Sequence, residues 1–322
     1  MKALSILFIA LLLTASCKKD KAPEGMDLKQ EMRNFVENIS SYAKTANPDF
    51  LIVPQNGLEL VSANGQEDGA PETNYLNAID ANGQEDLFYG YDKDDKATPS
   101  STTAYLKAFL KISKNAGNVM LVTDYCSTHS KMDDSYTKNK SEGFISFAAD
   151  HRELDNIPAY PKPLNGENDS VISSISQVKN FLYLINTSNY SSKSAFIADV
   201  TKTNYDLLIM DLFDNNGVAF TASEINQLKA KANGGKRLII CYMSIGEAEN
   251  YRYYWKSDWK PGNPSFLDKE NPNWGGNYKV KYWDKEWQKI IYGNDDSYLK
   301  KILDAGFDGV YLDIIDAFEY YE

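Results

Sequence analysis

Short apolar runs bounded by polar residues recur along the chain, spaced so that a helix fits between most of them. The runs are Phe50–Val53, Ala78–Asp80, Val119–Thr123, Gly143–Ala148, Phe181–Ile185, Leu207–Met210, Leu238–Tyr242 and Val310–Ile315. Most are continuously apolar, as strands of a parallel sheet covered on both faces tend to be. Between them, apolar residues recur at helical spacing. Leu28–Ala46 carries Met32, Phe35, Val36, Ile39 and Tyr42, and Ala104–Asn115 carries Tyr105, Phe109 and Ile112. Ser191–Thr203 and Ser223–Ala232 follow, the latter behind Thr221-Ala-Ser-Glu224, which has the form of a capping box. Tyr298–Ala305 runs into Gly306, a helix stop.

Strands alternating with helices predict an α/β fold with crossover connections. Eight such strands in residues 28–322 predict a single (β/α)₈ TIM barrel. A doubly wound open sheet is the competitor. No GxGxxG or GxxxxGK[ST] follows any strand, so nucleotide binding has no support. Residues 250–284 are rich in Tyr, Trp, Asn, Pro and Gly and exceed an ordinary βα loop. Such an insertion is expected to shape the binding site.

The first 16 residues fall outside this pattern. A charged Met1-Lys2, the apolar Leu4–Leu13 and the small Thr14-Ala15-Ser16 have the form of a secretory signal. The apolar run is too short to span a bilayer, which needs ~20 residues. Cys17 follows directly, as in a bacterial lipobox, so lipidation of Cys17 is expected, with residues 17–27 as a tether. From these features the protein is expected in the cell envelope, held on a membrane by a lipid anchor. A plain signal followed by a chance cysteine is the alternative.

The net charge is −11, which argues against nucleic acid as a partner because phosphate binding needs clustered Lys and Arg. It suits a neutral or cationic ligand. Cys126 and Cys241 sit in apolar runs and are expected as buried thiols, with pairing open in an exported protein. Only His129 and His151 are present, and HExxH, CxxC and HxH are absent. No metal site and no cofactor are expected.

Barrel enzymes place their chemistry at the C-terminal ends of the strands. Residues at these ends are Gln55 and Asn56, Gln84 and Glu85, Asp124, Asp150, Asp211, Glu247 and Glu249, and Asp313. Six of the eight strands thus end in or near an acid, with almost no Lys or Arg beside them except Arg252. Asp211 and Asp150 could equally cap a following helix. Asp313 is harder to explain so, because Asp316 is free to cap, and Glu85 and Glu247 are poor caps. The string Ala-Asn-Gly-Gln-Glu-Asp occurs twice, at Ala63–Asp68 in a loop and at Ala81–Asp86 directly after a strand. Paired carboxylates beside aromatic residues are what glycoside hydrolysis asks for: one acid protonates the leaving oxygen, and the other attacks or activates water.

Three segments resemble glycoside hydrolase family 114, the endo-α-1,4-polygalactosaminidases and their prokaryotic relatives. They are Tyr242-Met-Ser-Ile-Gly-Glu-Ala-Glu-Asn-Tyr-Arg-Tyr-Tyr-Trp255, Val280-Lys-Tyr-Trp-Asp-Lys-Glu-Trp287 and Gly306-Phe-Asp-Gly-Val-Tyr-Leu-Asp-Ile-Ile-Asp-Ala-Phe-Glu-Tyr320. Asn47–Asn56 and Gly83–Gly90 are similar to the same family, but in it they follow the Asp-Ala-Phe-Glu-Tyr element. The resemblance therefore implies a circularly permuted barrel, with a truncated reading frame as the alternative. It places the termini, and so the tether, at the catalytic face.

The resemblance further implies Asp313 as nucleophile or stabilising carboxylate and Glu85 as acid/base. It implies that Asp211, Tyr242, Glu247, Glu249, Arg252, Tyr254 and Trp255 line the sugar sites. The rim residues Gln55, Asn56, Asp124 and Asp150 join them as substrate-binding candidates. The partner implied is an extracellular polysaccharide containing α-1,4-linked galactosamine. Many fungal members carry Asp where this chain has Tyr311, which leaves the exact substrate open.

Overall fold

Asp27 starts the first helix by accepting a hydrogen bond from the Gln30 N–H at 3.0 Å. Met32, Phe35, Val36, Ile39 and Ala43 then fall on one stripe and are fully buried, at roughly 1.5–3 kcal/mol for each large side chain. The computed structural model describes residues 22–322; the expected leader, Cys17 and the first part of the tether lie outside the described residues.

In chain order the elements are α1 (Leu28–Ala46), β1 (Leu51–Pro54), α2 (Thr73–Ala78), β2 (Ala81–Glu85), α3 (Ser100–Asn115), β3 (Val119–Tyr125), α4 (His129–Glu142) and β4 (Ile145–Ala149). Then come β5 (Phe181–Tyr183), α5 (Lys193–Val200), β6 (Leu207–Met210), α6 (Ala222–Leu228), β7 (Leu238–Ser244), β8 (Glu247–Glu249), β9 (Leu267–Glu270) and β10 (Asn277–Val280). The chain closes with α7 (Lys285–Ile291), α8 (Tyr298–Asp304), β11 (Gly309–Asp313) and a 3₁₀ turn at Ile315–Tyr320. The capping box at Thr221 and Glu224 forms as its spacing predicts.

Eight of these strands are parallel, in two sheets ordered β1-β11-β7-β6-β5 and β2-β3-β4. Gln55, just past β1, bridges Gly83 of β2 in parallel, and the Asn56 N–H donates to the Gly83 carbonyl at 2.9 Å. At the other edges β4 lies beside β5, where the rings of Phe147 and Phe181 are 5.7 Å apart. The fold is mixed α/β with a TIM-like order of parallel strands.

The second strand corrects the sequence reading. Ala78–Asp80 ends a helix and leads in; the strand is the polar Ala81–Glu85 itself. Asn82 is buried there and accepts from Ser113 Oγ at 2.5 Å, so a tertiary partner supplies what an apolar side chain usually would. The same string at Ala63–Asp68 is a loop of turns. Helix α4 escapes the apolar pattern because its buried face is Met132, Ser135 and Asn139, two of them polar.

The insertion after β7 folds into an antiparallel sheet ordered β8-β10-β9. Asp316 does not cap the final 3₁₀ turn; it lies inside it, behind Ile314 at φ 58°. Lys29 of α1 forms an ion pair with Glu322, and its ammonium lies 4.6 Å from the Phe318 ring centroid. The start of α1 therefore sits on the side where β11 ends. Cys126 and Cys241 are both buried free thiols.

Candidate active site

Strand alternation puts residues two apart on one face, so Gly83 and Glu85 point the same way, as do Tyr311 and Asp313. Glu85 ends β2 and Asp313 ends β11, and both strands adjoin β1. The two acids thus stand at the same end of the strands with one strand between them. Both are partly exposed. Burial, then the charge of Glu85, push Asp313 up to about 8. The charge of Glu85 thus reaches Asp313 across the end of β1.

Each acid is held by named donors. Tyr125 of β3 donates its hydroxyl to Glu85. Asn56, at φ 58°, makes a reciprocal pair with Glu85: its amide donates to Oε2 at 3.2 Å and its carbonyl accepts the Glu85 N–H at 3.1 Å. Tyr242 of β7 donates to Asp313 at 2.5 Å, which favours the charged form and opposes burial. Beneath the pair the rings of Tyr311 and Tyr183 meet edge to face at 5.2 Å. The Tyr311 hydroxyl fills the space above Gly83, where a Cβ would lie 2.0 Å from it. Tyr183 is fixed by donating to Gln55 at 2.9 Å. The other rim acid at the pair is Asp316, pushed up to about 7 by burial, then by Glu319, with Glu59 and Glu85 adding to the effect.

The remaining candidates divide. Arg252 binds Asp211 through both terminal nitrogens, at 2.8 and 2.7 Å, and Glu249 at 2.6 and 3.2 Å, all three buried. Tyr254 accepts the Glu249 N–H at 3.1 Å, which completes a closed network. Asp211 caps no helix; it accepts the Phe213 N–H at 2.8 Å in a local turn. Glu247 is buried, raised chiefly by desolvation, and accepts from Tyr320 at 3.0 Å and Asn271 at 2.9 Å. Trp255 packs on Tyr278 and Trp259 at 4.9 and 5.2 Å within the insertion.

Two further rim acids are taken up by other partners. Asp124 is fully buried and accepts from the Phe88 and Tyr89 N–H groups, Ser135 and Asn139 at 2.8, 3.1, 2.6 and 3.1 Å. With no exposed surface it does not line the mouth; it ties the loop after β2 to α4. Asp150 accepts from Asn156 at 3.0 Å, and no helix follows for it to cap.

The sequence reading missed Arg152. It lies past β4 with its guanidinium 3.8 Å from the Tyr125 ring centroid, and a cation standing alone in a loop carries no motif. Among the described residues, no three of His, Cys, Asp and Glu gather to hold a metal ion.

Residues 176–321 match the profile of glycoside-hydrolase family GH114. An uncharacterized protein of Methanocaldococcus jannaschii is 41% identical over 185 residues, covering 55% of this chain and 49% of that one. An uncharacterized protein of Deinococcus radiodurans is 42% identical over 118 residues, 37% of this chain and 35% of its own length. One of Thermotoga maritima is 36% identical over 132 residues, 41% and 39% of the two chains. The matched segments span about half or less of these relatives. Asp313, Tyr242, Arg252 and the insertion all fall inside the family match, and Glu85 lies outside it. From residue 176 to residue 321 the chain is thus similar to the glycoside-hydrolase family GH114.

Proposed function

We propose that the protein is an exported, lipid-anchored glycoside hydrolase that cleaves an α-1,4-linked, galactosamine-containing polysaccharide internally, with Glu85 and Asp313 as its two carboxylates. The observation that carries this reading is the placement of the two acids at the same end of the parallel strands, on β2 and β11 with only β1 between them. Two carboxylates facing one site can supply both the acid and the anion that glycosidic cleavage requires. The family resemblance gives Asp313 the attacking or stabilising role and Glu85 the proton transfer. In the free protein burial and the charge of Glu85 favour the protonated form of Asp313. A cationic amino sugar bound beside Asp313 favours its ionised form, the form that can attack or stabilise the reacting carbon. Uncharged sugars lack that lever, so the acidic mouth favours the non-acetylated ligand.

The test is incubation of purified protein with α-1,4-galactosamine polymers and mass-spectrometric detection of fragments. Wild type should release oligosaccharides, and Glu85→Gln and Asp313→Asn should not. If wild type and Glu85→Gln are equally silent on every amino-sugar polymer, the hydrolase reading fails. Binding without cleavage, unchanged in Asp313→Asn, would make the protein a glycan-binding lipoprotein instead.

The same reading includes a closed, circularly permuted (β/α)₈ ring, supported by the strand order and the Lys29–Glu322 contact. A chain recut to begin near residue 176, with Glu322 joined to Met26 by a short linker, should keep its circular dichroism and a cooperative melt. Loss of both would refute the permutation. For the anchor, Cys17→Ala should abolish incorporation of labelled fatty acid, and equal labelling of both forms would refute it.

A further inference from the structure

Arg152 uses its whole guanidinium at the edge of the candidate site. Nε donates to Asp94 at 2.6 Å, and Nη2 to Asp86 at 2.9 Å and to the Gly90 carbonyl at 3.0 Å. Nη1 reaches the other Asp86 oxygen at 3.4 Å. Gly90, at φ +118°, leaves room for this: a Cβ there would lie 2.0 Å from Asp86 and 2.9 Å from Arg152. The cation lies 3.8 Å from the Tyr125 ring centroid, and the hydroxyl of that ring donates to Glu85. Asp86, the residue after Glu85, sits at φ 59° and turns its carboxylate to Arg152 rather than to the mouth. A fixed cation therefore acts on Glu85 by two routes, the backbone-linked Asp86 and the polarised phenol of Tyr125.

We propose that Arg152 is a positioning residue that sets the protonation and aim of Glu85 through Tyr125 and Asp86; this rests on the hydrolase reading above. The charged and titratable groups facing Glu85 are Tyr125, Asp86, Asp313, Tyr311, Tyr183 and Asp316. Those facing Asp86 are Arg152, Glu85 and Asp124, and burial holds Asp86 up at about 6 even with its partner in place. Arg152 is the cation among them. Without it, three carboxylates would crowd one strand end, and both Glu85 and Asp86 would bind protons more tightly.

The test uses the full-length protein with ¹³C-labelled side-chain carboxyls, the resonances identified with Glu85→Gln and Asp86→Asn. Arg152→Met should raise the Glu85 and Asp86 midpoints by about one pH unit, the scale of one partly screened charge at this range. The limb of the kcat/KM profile set by Glu85 should move up with it. Arg152→Lys keeps the charge and should leave the limbs near wild type, while kcat falls as the planar fork is lost. If Arg152→Met does not fold, Tyr125→Phe carries the test: Glu85 should rise and Asp86 should keep its midpoint. An unmoved Glu85 in Arg152→Met, or in Tyr125→Phe, overturns the proposal whatever the melting temperature does. A wild type that cuts no polymer sinks the hydrolase reading alone, because the carboxyl titration needs no turnover.

Discussion

Tyr242 of β7 donates its hydroxyl to Asp313 of β11 at 2.5 Å, although the residue opposite Tyr242 in register is Tyr311. The phenol thus reaches along the neighbouring strand to the carboxylate two residues further on. It stabilises the charged form against burial and the charge of Glu85, which together win and hold Asp313 at about 8. Tyr242→Phe removes the one side-chain donor that opposes them. The limb of kcat/KM set by Asp313, expected in wild type near pH 8, should move to higher pH, and activity at pH 7 should fall. A limb that stays in place would disconnect Asp313 from that limb.

Substrate charge gives a second reading of the same group. Because an ammonium beside Asp313 favours the carboxylate, the kcat limb should lie below the kcat/KM limb for a galactosamine polymer. With the N-acetylated polymer the two limbs should coincide. Coincident limbs for both substrates would remove the amino group from the vicinity of Asp313.

Stability should carry the opposite sign. The folded value for Asp313 is raised from 3.8 to about 8, so the folded state binds this proton more tightly than the unfolded chain. Below the unfolded value both states are protonated and nothing is lost. As pH rises from about 4 to about 8 the folded state loses stability on this account, and above that the loss is constant. Asp313→Asn should therefore melt higher than wild type at pH 8 to 9, by a few degrees or roughly 1 kcal/mol or more, and equal it near pH 4. Thermal melts across that range measure the difference, and a gain largest at low pH would refute the assignment.

Asp124→Ala should destabilise without touching the chemistry directly. It strands four donors, Phe88 N–H, Tyr89 N–H, Ser135 and Asn139, inside a closed site. The expected loss is roughly 2–4 kcal/mol by denaturant unfolding. A loss under ~0.5 kcal/mol would mean the site is open to water.

Arg252→Met should cost about 3–5 kcal/mol, because Asp211 and Glu249 are then left buried without a counter-ion. Adding Asp211→Asn and Glu249→Gln should recover much of that loss. If the single variant folds as stably as wild type and only KM rises, the triad binds sugar rather than holding the insertion on the strand ends.

Period and capping made much of the fold legible from the residues. Helix α1 has the predicted bounds, Leu28–Ala46, because its stripe is long, apolar and capped. Strand β6 has its predicted bounds, Leu207–Met210, because a fully buried strand leaves a continuous apolar run. The polar strand β2 and helix α4 were illegible for one reason: their buried side chains, Asn82, Ser135 and Asn139, are matched by partners distant in sequence. Identical hexapeptides at 63–68 and 81–86 fold differently, so no local rule could have separated them.

At the site, the residues alone placed Glu85 and Asp313 at strand ends and marked Arg252, and motif resemblance paired the two acids. Which acids share a space, and which are spent on structure, depended on neighbours brought together by strand order. Asp124 and Asp211 read as rim acids like Glu85, yet one is sealed behind α4 and the other locked to Arg252. Arg152 had no signature at all, since its role comes from lying 3.8 Å over a ring contributed by another strand. Apolar period is written locally because backbone geometry repeats along each element. Proximity of charges is not, because it is created only when strands far apart in the chain are laid side by side.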